Sequence, residues 1–358
     1  METRRCGRTD LVLPVLGIGC FSFGGGTYWG EQRQQDVDEV VACALDHGAY
    51  FFDTAETYNG GASEVALGQA LRGRRDRALI GSKIQPNHAY APEVRRHCEA
   101  SLQRLQTDRI DVYMIHWPLN ANALRHYTSD EEKLSNPPRI EETLQALGEL
   151  QREGKIRYLG VSNFGGTQLA EAMAVGVPLA LNELSYNLLM RGIESDVLPA
   201  CSHHGIGVLG YGPLAQGLLT DKFAHFDELP PIRTRTRHFR GSRTGSRHGE
   251  PGFENETREA LDQLRRAAAE YSNRSAQVTP TLTSLGEMAL AWVVGNPAIT
   301  CTLVGARNRA QLETNLRAAE SPLDPVLRAE FSRLTESLRQ LLGPGIDYHQ
   351  GRENSRCW

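Results

Sequence analysis

The chain has 358 residues, 40% apolar and 23% charged, a balance that excludes a disordered chain and supplies enough apolar material for a sizeable core. A formal net charge of −4 excludes the long-range pull of a basic protein toward nucleic acid or an anionic membrane. Seven cysteines, at 6, 20, 43, 98, 201, 301 and 357, are odd in number and contain no Cys-x-x-Cys pair, which predicts free thiols in a reducing, cytoplasmic setting rather than a disulfide framework or a zinc site.

In chain order, residues 1–13 predict a short hairpin placed to plug one end of the fold. The uncharged run from Leu11 to Gly30 fails as a signal or anchor, because only its first half is apolar and Pro14 and Gly24-Gly25-Gly26 interrupt it. Eight β-rich apolar runs then recur: 15–21, 49–54, 78–83, 110–116, 156–163, 177–184, 205–212 and 299–306. Amphipathic stretches lie between them. Val94, Cys98, Leu102 and Leu105 form one apolar helical stripe, and Ile140, Leu144, Leu147 and Leu150 form another. Long loops follow the fourth strand (117–138) and the seventh (213–255), and a tail (343–358) follows the last helix.

Eight strands alternating with helices predict an α/β fold, a (β/α)₈ TIM barrel formed as one domain over 1–358. Near-continuous apolar strands agree, since barrel strands are covered on both faces. An open doubly wound sheet would need Gly-x-Gly-x-x-Gly between its first strand and helix, and the first run carries Gly17 and Gly19 without a third glycine in register. Gly205, Gly207 and Gly210 match the letters, but they follow a helical segment and form the strand itself.

Three successive strands end in ionisable residues, Asp53, Lys83 and His116, at intervals of 30 and 33 residues, one strand plus one helix each. That spacing sets all three on one barrel rim, where barrel active sites are built, and Tyr58 lies in the loop leaving the same strand as Asp53. Singly, each has an ordinary structural reading; independent packing choices have no reason to align them. Reduction of a carbonyl needs a proton donor at its oxygen, and a free tyrosine near pKa about 10 is a poor one. A lysine ammonium about 4–6 Å away is expected to lower that value by roughly 1–3, with Asp53 holding Lys83 charged and His116 donating to the substrate oxygen. No His-Glu-x-x-His or comparable cluster is present, so no metal is expected.

These residues sit in words that resemble the aldo-keto reductase family: FFDTAETYNGGASEVALGQAL (51–71), IGSKI (80–84), IDVYMIHWP (110–118), GKIRYLGVSNF (154–164), LGYGPLAQGLLTDKF (209–223) and VGARNRAQLETNL (304–316). The resemblance covers nearly the whole chain. It implies an Asp53–Tyr58–Lys83–His116 tetrad and an extended nicotinamide cofactor. In the family pattern Ser162, Asn163 and Glu183 hold the carboxamide and Tyr211 stacks on the nicotinamide ring. Leu214, Gln216, Leu218 and Lys222 follow the pyrophosphate, and Gly305, Arg307, Gln311 and Asn315 meet the adenosine end. Arg307 suits a 2′-phosphate, favouring NADP(H) over NAD(H).

The sequence departs from the pattern at Glu183, where a glutamine is usual, at Thr314, where a glutamate is frequent, and at Gly212, where a serine is frequent. An ionised Glu183 accepts from a carboxamide but cannot donate to it. The arginines of 233–247 are expected to be mainly solvated, with Arg235 or Arg237 folding over the cofactor phosphates as the resemblance implies. Phe21, Trp29, Trp117 and the tail are the expected substrate contacts for an aldehyde, ketone, sugar-like or secondary-metabolite carbonyl, with Tyr58 giving the proton and the nicotinamide the hydride. Small-molecule carbonyl and alcohol partners are therefore expected, with neither nucleic acid nor membrane. The rival readings are a nicotinamide-sensing module of the channel β-subunit type and a barrel hydrolase.

Overall fold

The computed structural model describes residues 1–220, 222–223, 225–274 and 282–357. Asp221 and Ala224 of the second long loop and Trp358 of the tail, assigned above to the site regions, lie outside the described residues. A two-stranded antiparallel hairpin, β1 (Thr3–Arg5) and β2 (Val12–Pro14), precedes a closed parallel barrel. The barrel strands are β3 (Leu16–Gly19), β4 (Phe51–Asp53), β5 (Leu79–Ile84), β6 (Ile110–Ile115), β7 (Ile156–Ser162), β8 (Leu181–Ser185), β9 (Gly207–Tyr211) and β10 (Cys301–Val304). They pair in chain order, and β10 closes on β3 through Thr302↔Leu16. The (β/α)₈ expectation is met strand for strand, with one shift. The run 177–184 pairs only from Ala180, whose N–H donates to Leu159 O at 2.8 Å, because Pro178 has no N–H to give a ladder.

The two-residue side-chain period sorts each strand between two environments. Phe51, Val112, Met114, Leu181, Leu209, Cys301 and Leu303 fill the barrel interior, while neighbours such as Phe52, Ile80, Tyr113 and Val208 pack outward beneath the helices. On the outer layer, the helix Ala91–Leu105 buries Val94, Cys98, Leu102 and Leu105, and the helix Ile140–Arg152 buries Leu144, Leu147 and Leu150.

The hairpin seals the bottom. Leu11 and Leu13 join the interior cluster, and the Cys6 thiol donates to Ala180 O at 3.3 Å. The Gly205–Gly207–Gly210 run owes two of its glycines to this packing. Gly205 ends the helix Val197–His204 at φ 68°, and a Cβ on Gly207 would lie 2.3 Å from Cys6 Sγ. All seven cysteines are buried and unpaired. Among the described residues no helix is long and apolar enough to cross a membrane.

Both long loops are ordered by their own polar contacts. Segment 117–138 contains short helices at Ala121–Leu124 and Glu131–Ser135, capped by Asn120 and Asp130. In the second loop Arg240 and Arg243 converge on the buried carboxylate of Glu254. The tail folds back along the barrel mouth, where Arg356 pairs with Asp347 through two 2.7 Å hydrogen bonds and lies 3.5 Å from the centre of the Trp117 ring. Termini are mobile by default, and this buried ion pair, with the Arg356 carbonyl accepting from Asn120 at 2.9 Å, is what overrides the default here.

Candidate active site

At the upper ends of the strands the inward register changes from apolar to polar, two residues beyond the interior layer. Asp53 follows Phe51, Lys83 follows Gly81, His116 follows Met114, Ser162 follows Gly160, Glu183 follows Leu181 and Tyr211 follows Leu209. The floor of the mouth is thus set by strand periodicity.

Lys83 is fully buried and is the centre of the group. Its Nζ donates to Asp53 Oδ1 and Oδ2 at 2.6 and 2.7 Å, to Thr54 O at 3.1 Å and to Tyr58 Oη at 3.3 Å. Glu183 Oε2 stands 3.2 Å from the same ammonium, outside hydrogen-bonding alignment and with no other partner. One ammonium therefore faces two carboxyl groups that are at most 4% exposed. Burial is the largest influence on both carboxyls and raises both, against the pull of Lys83; Glu183 is pushed up to about 8. These directions favour the shared proton on Glu183, leaving Asp53 to pair with Lys83. Burial alone would depress Lys83, but Asp53 and Glu183 outweigh it and hold the ammonium well above its ordinary range.

Tyr58 opens a short 3₁₀ turn, Tyr58–Gly61, placed by Asn59 in the left-handed region at φ 52°. The Asn59 amide donates to Phe21 O and Phe23 O, both at 2.9 Å, tying this turn to the loop after β3. Burial dominates at the phenol and raises its pKa, and Lys83 opposes without reversing the shift. The expected lysine effect thus has the right sign, but the net shift is upward, which keeps the phenol protonated. The His116 ring meets the Tyr58 ring edge-on at 5.6 Å between centroids. Burial, reinforced by Lys83, holds His116 well below its usual range, and its Nδ1 has no partner, so it stands neutral with a spare polar atom.

Asn163, also left-handed at φ 63°, fixes the next wall of the site. Its Nδ2 donates to His116 O and Ser162 Oγ, both at 3.0 Å, while its Oδ1 accepts from Tyr211 Oη at 2.9 Å. A cavity of about 830 Å³ runs outward from Tyr58, His116 and Trp117 to Arg307, Gln311 and Asn315, within the usual range for ligand sites. It is lined also by Ser162, Asn163, Glu183, Tyr211, Leu214 and Gln216, then by Lys222 and Gly305, and by Phe21 and Trp29. Two sequence-derived positions do not line the cavity: Lys83 lies fully buried behind Asp53 and Tyr58, and the Leu218 side chain turns into the core. Thr314 and Gly212 do line it.

The arginine loop departs from expectation. Arg237 is buried and faces the tail, donating to Leu342 O at 3.2 Å, so an Arg237 substitution bears on tail attachment rather than directly on cofactor phosphates. Arg233 is the loop arginine that reaches the cavity, donating to Gln216 O at 2.7 Å beneath Trp29. Tyr28 Oη adds a 2.7 Å bond to Gln216 Oε1, so the loops after β3 and β9 meet over the groove. Arg307 is steadied by Gln32 Oε1 at 3.1 Å and by Glu31 O.

Sequence reasoning missed the start of the helix Leu285–Val294, which brings Ser284, Gly286 and Glu287 to the cavity wall. The Ser284-x-x-Glu287 capping box was the available signal.

Residues 15–337 match the family model described as the Aldo/keto reductase family. The chain is 32% identical over 327 residues to the aldo-keto reductase YhdN of Bacillus subtilis, covering 87% of each chain. It is also 32% identical over 361 residues to an NADH-specific methylglyoxal reductase of Escherichia coli, covering 92% of this chain and 98% of that one. Among solved structures, an aldo-keto reductase from Klebsiella pneumoniae in complex with NADPH superposes with a TM-score of 0.68 at 27% identity, over 100% of this chain and 99% of that one.

Proposed function

The chain belongs to the aldo/keto reductase family, and from that premise we propose that it reduces an aldehyde or ketone to an alcohol with NADP(H), with Tyr58 as the proton donor. The observation that carries this reading is the half-buried Tyr58 phenol 3.3 Å from the Lys83 ammonium, beside a neutral His116 at the floor of a long cavity.

The cavity suits an extended nicotinamide dinucleotide on its own terms. At the floor it offers polar atoms without partners, His116 Nδ1 and Glu183 Oε2, and at its outer reaches the cations Lys222, Arg233 and Arg307. Ser162, Asn163 and Glu183 would hold the carboxamide, Tyr211 the nicotinamide face, Leu214, Gln216 and Lys222 the pyrophosphate, and Gly305, Gln311 and Asn315 the adenosine. Arg307 would pair with the 2′-phosphate through its planar fork. When bound, the nicotinamide supplies a hydride to the carbonyl carbon.

The protein's own part is proton supply and orientation. Tyr58 donates its phenolic proton to the carbonyl oxygen, and Lys83, fixed by Asp53, steadies the charge left on the phenol oxygen. His116, kept neutral, donates a hydrogen bond to the carbonyl oxygen and so sets its angle. Phe21 and Trp29, with ring centroids 5.7 Å apart, and Trp117 form the apolar approach for the carbonyl substituent.

Glu183 changes character in this setting. Protonated, it offers one O–H donor together with an acceptor oxygen, the same pair that a glutamine amide presents to a carboxamide. The expectation that it cannot donate holds only for the ionised form. Its folded pKa of about 8 lies above the ordinary glutamate value of about 4.3. Between these two values the folded state binds the extra proton, so this group's stability contribution is complete below about 4.3 and is lost as pH rises toward 8. Urea unfolding from pH 5 to pH 9 should show that decline in the wild type and a flatter profile in Glu183→Gln; parallel profiles would refute a protonated Glu183.

The activity itself is tested with NADPH and an activated aldehyde such as nitrobenzaldehyde, following loss of NADPH absorbance. Turnover is expected, with kcat/KM for NADPH about tenfold or more above that for NADH, the scale of one charge-assisted hydrogen bond. Tight NADPH binding by folded protein without turnover would instead support the nicotinamide-sensing reading.

A further inference from the structure

Outside the cavity, three metal-ligating side chains from three segments converge on one point: Glu56 from the loop after β4, His88 from the turn after β5 and His97 from the helix Ala91–Leu105. Glu56 places one oxygen 3.0 Å from His88 Nδ1 and the other 2.7 Å from His97 Nδ1, and all the ligand atoms lie within 4.8 Å of one another. The two imidazoles stack at 3.8 Å. The Glu56 and His97 side chains are 6% and 10% exposed, while that of His88 is 26% exposed and leaves a way in from solvent.

We propose that Glu56, His88 and His97 form a binding site for a divalent ion of the imidazole-seeking class, Zn²⁺ above all, through the two Nδ1 atoms and a carboxylate oxygen. Two imidazoles and one carboxylate are a recognised ligand set for this ion, and bond lengths of about 2.0–2.2 Å set neighbouring ligand atoms roughly 3.4 Å apart. The two Glu56–imidazole contacts need to open by only about half an ångström, and the stacked rings, 23° apart in plane, must tilt so that both Nδ1 lone pairs aim at the ion. The side-chain amide of Gln85, 2.9 Å from His88 Nδ1, supplies a fourth ligand when its oxygen faces the ion.

Surroundings complete the site. A His97 that binds through Nδ1 carries its proton on Nε2 and needs an acceptor there. That nitrogen now meets Arg96 Nη2 at 2.8 Å, but the Arg96 side chain is 68% exposed and free to swing aside, and Glu93 Oε2 waits 3.9 Å away. Glu56 brings one negative charge against the ion's two, and its Oε1 is held in place by the Gln85 N–H at 2.9 Å. A bound ion would tie together the segments after β4 and β5, two residues from Tyr58.

The test is a titration of chelator-treated protein with Co²⁺, whose visible absorption reports imidazole coordination, followed by displacement with Zn²⁺. One saturable equivalent per chain is expected, with a rise in melting temperature when Zn²⁺ is present. In His88→Gln, whose side chain is the most exposed of the three, and in His88→Gln/His97→Gln, both checked for folding by circular dichroism, affinity should fall by more than the roughly 10–100-fold cost of losing an outer partner. If the double variant does not fold, the single variant decides. No saturable signal in the wild type would overturn the proposal. So would an unchanged titration in the variants, which would place the ion elsewhere, for example at the adjacent His203 and His204.

Discussion

Replacing Tyr58 with phenylalanine should lower kcat for aldehyde reduction by about 10²–10⁴-fold, the usual contribution of a positioned general acid. Only the phenolic oxygen is lost. The ring keeps its packing against Phe21, with centroids 4.7 Å apart, and its edge contact with His116. Steady-state kinetics with NADPH and nitrobenzaldehyde measure the loss, and quenching of protein fluorescence by NADPH checks that binding stays within a few-fold of wild type. A variant retaining most of the wild-type kcat would remove Tyr58 from the role of proton donor and turn attention to His116. Because burial holds the phenol protonated, the wild-type rate in the reduction direction should not fall through deprotonation of Tyr58 anywhere in the neutral range.

Lys83→Met should be the most destabilising single change at the site, costing about 3–5 kcal/mol near neutral pH, the scale for removing one partner of a buried ion pair. The methionine fills a similar volume, so the loss is electrostatic. Asp53 keeps no counterion, and Glu183 can only take the proton it already holds. The sign with pH follows. With the ammonium gone, the buried carboxyls shift further up, so the penalty shrinks as pH falls and both protonate. Urea unfolding at pH 5 and pH 8 measures it, and the wild-type-minus-variant difference should be larger at pH 8. A difference independent of pH would mean that the destabilisation comes from packing. Activity should fall as far as in Tyr58→Phe, since the charge that steadies the phenol oxygen is lost.

Much of this arrangement was legible in the sequence because a barrel repeats. Strand runs of fixed spacing placed Asp53, Lys83 and His116 on neighbouring strand ends, and parallel pairing in chain order left little freedom in where those ends meet. What the sequence did not yield was cross-barrel proximity. Glu183 stands across the barrel from Asp53, and its approach to Lys83 depends on register and side-chain length rather than on any local pattern. Glu56, His88 and His97 escaped for a similar reason: their spacing follows no known ligand motif, and only folding of three segments brings them together. Arg237 was assigned to phosphates from the family resemblance, whereas its guanidinium is taken by the carbonyl of Leu342 at a helix end and its backbone N–H by Tyr348 O of the tail. Leu218 shows the limit of transferring a pattern position by position, since beyond the turn formed by Ala215 and Gln216, both at positive φ, its side chain falls on the core side of the loop.

The sealed lower end of the barrel divides the molecule into two regions with different tolerance of change. Below, Cys6, Leu11 and Leu13 interlock with the interior layer so closely that a methyl group on Gly207 has no room. Above, the loops after β3, β6 and β9 and the tail meet through side-chain contacts such as Tyr28 with Gln216 and Arg356 with Trp117. Substitutions in the upper set can reshape the entrance without disturbing the foundation on which Asp53, Lys83 and His116 stand. Descendants of this sequence are therefore free to vary what the rim admits, and a library built for altered ligand preference belongs there, with residues 1–13 held constant.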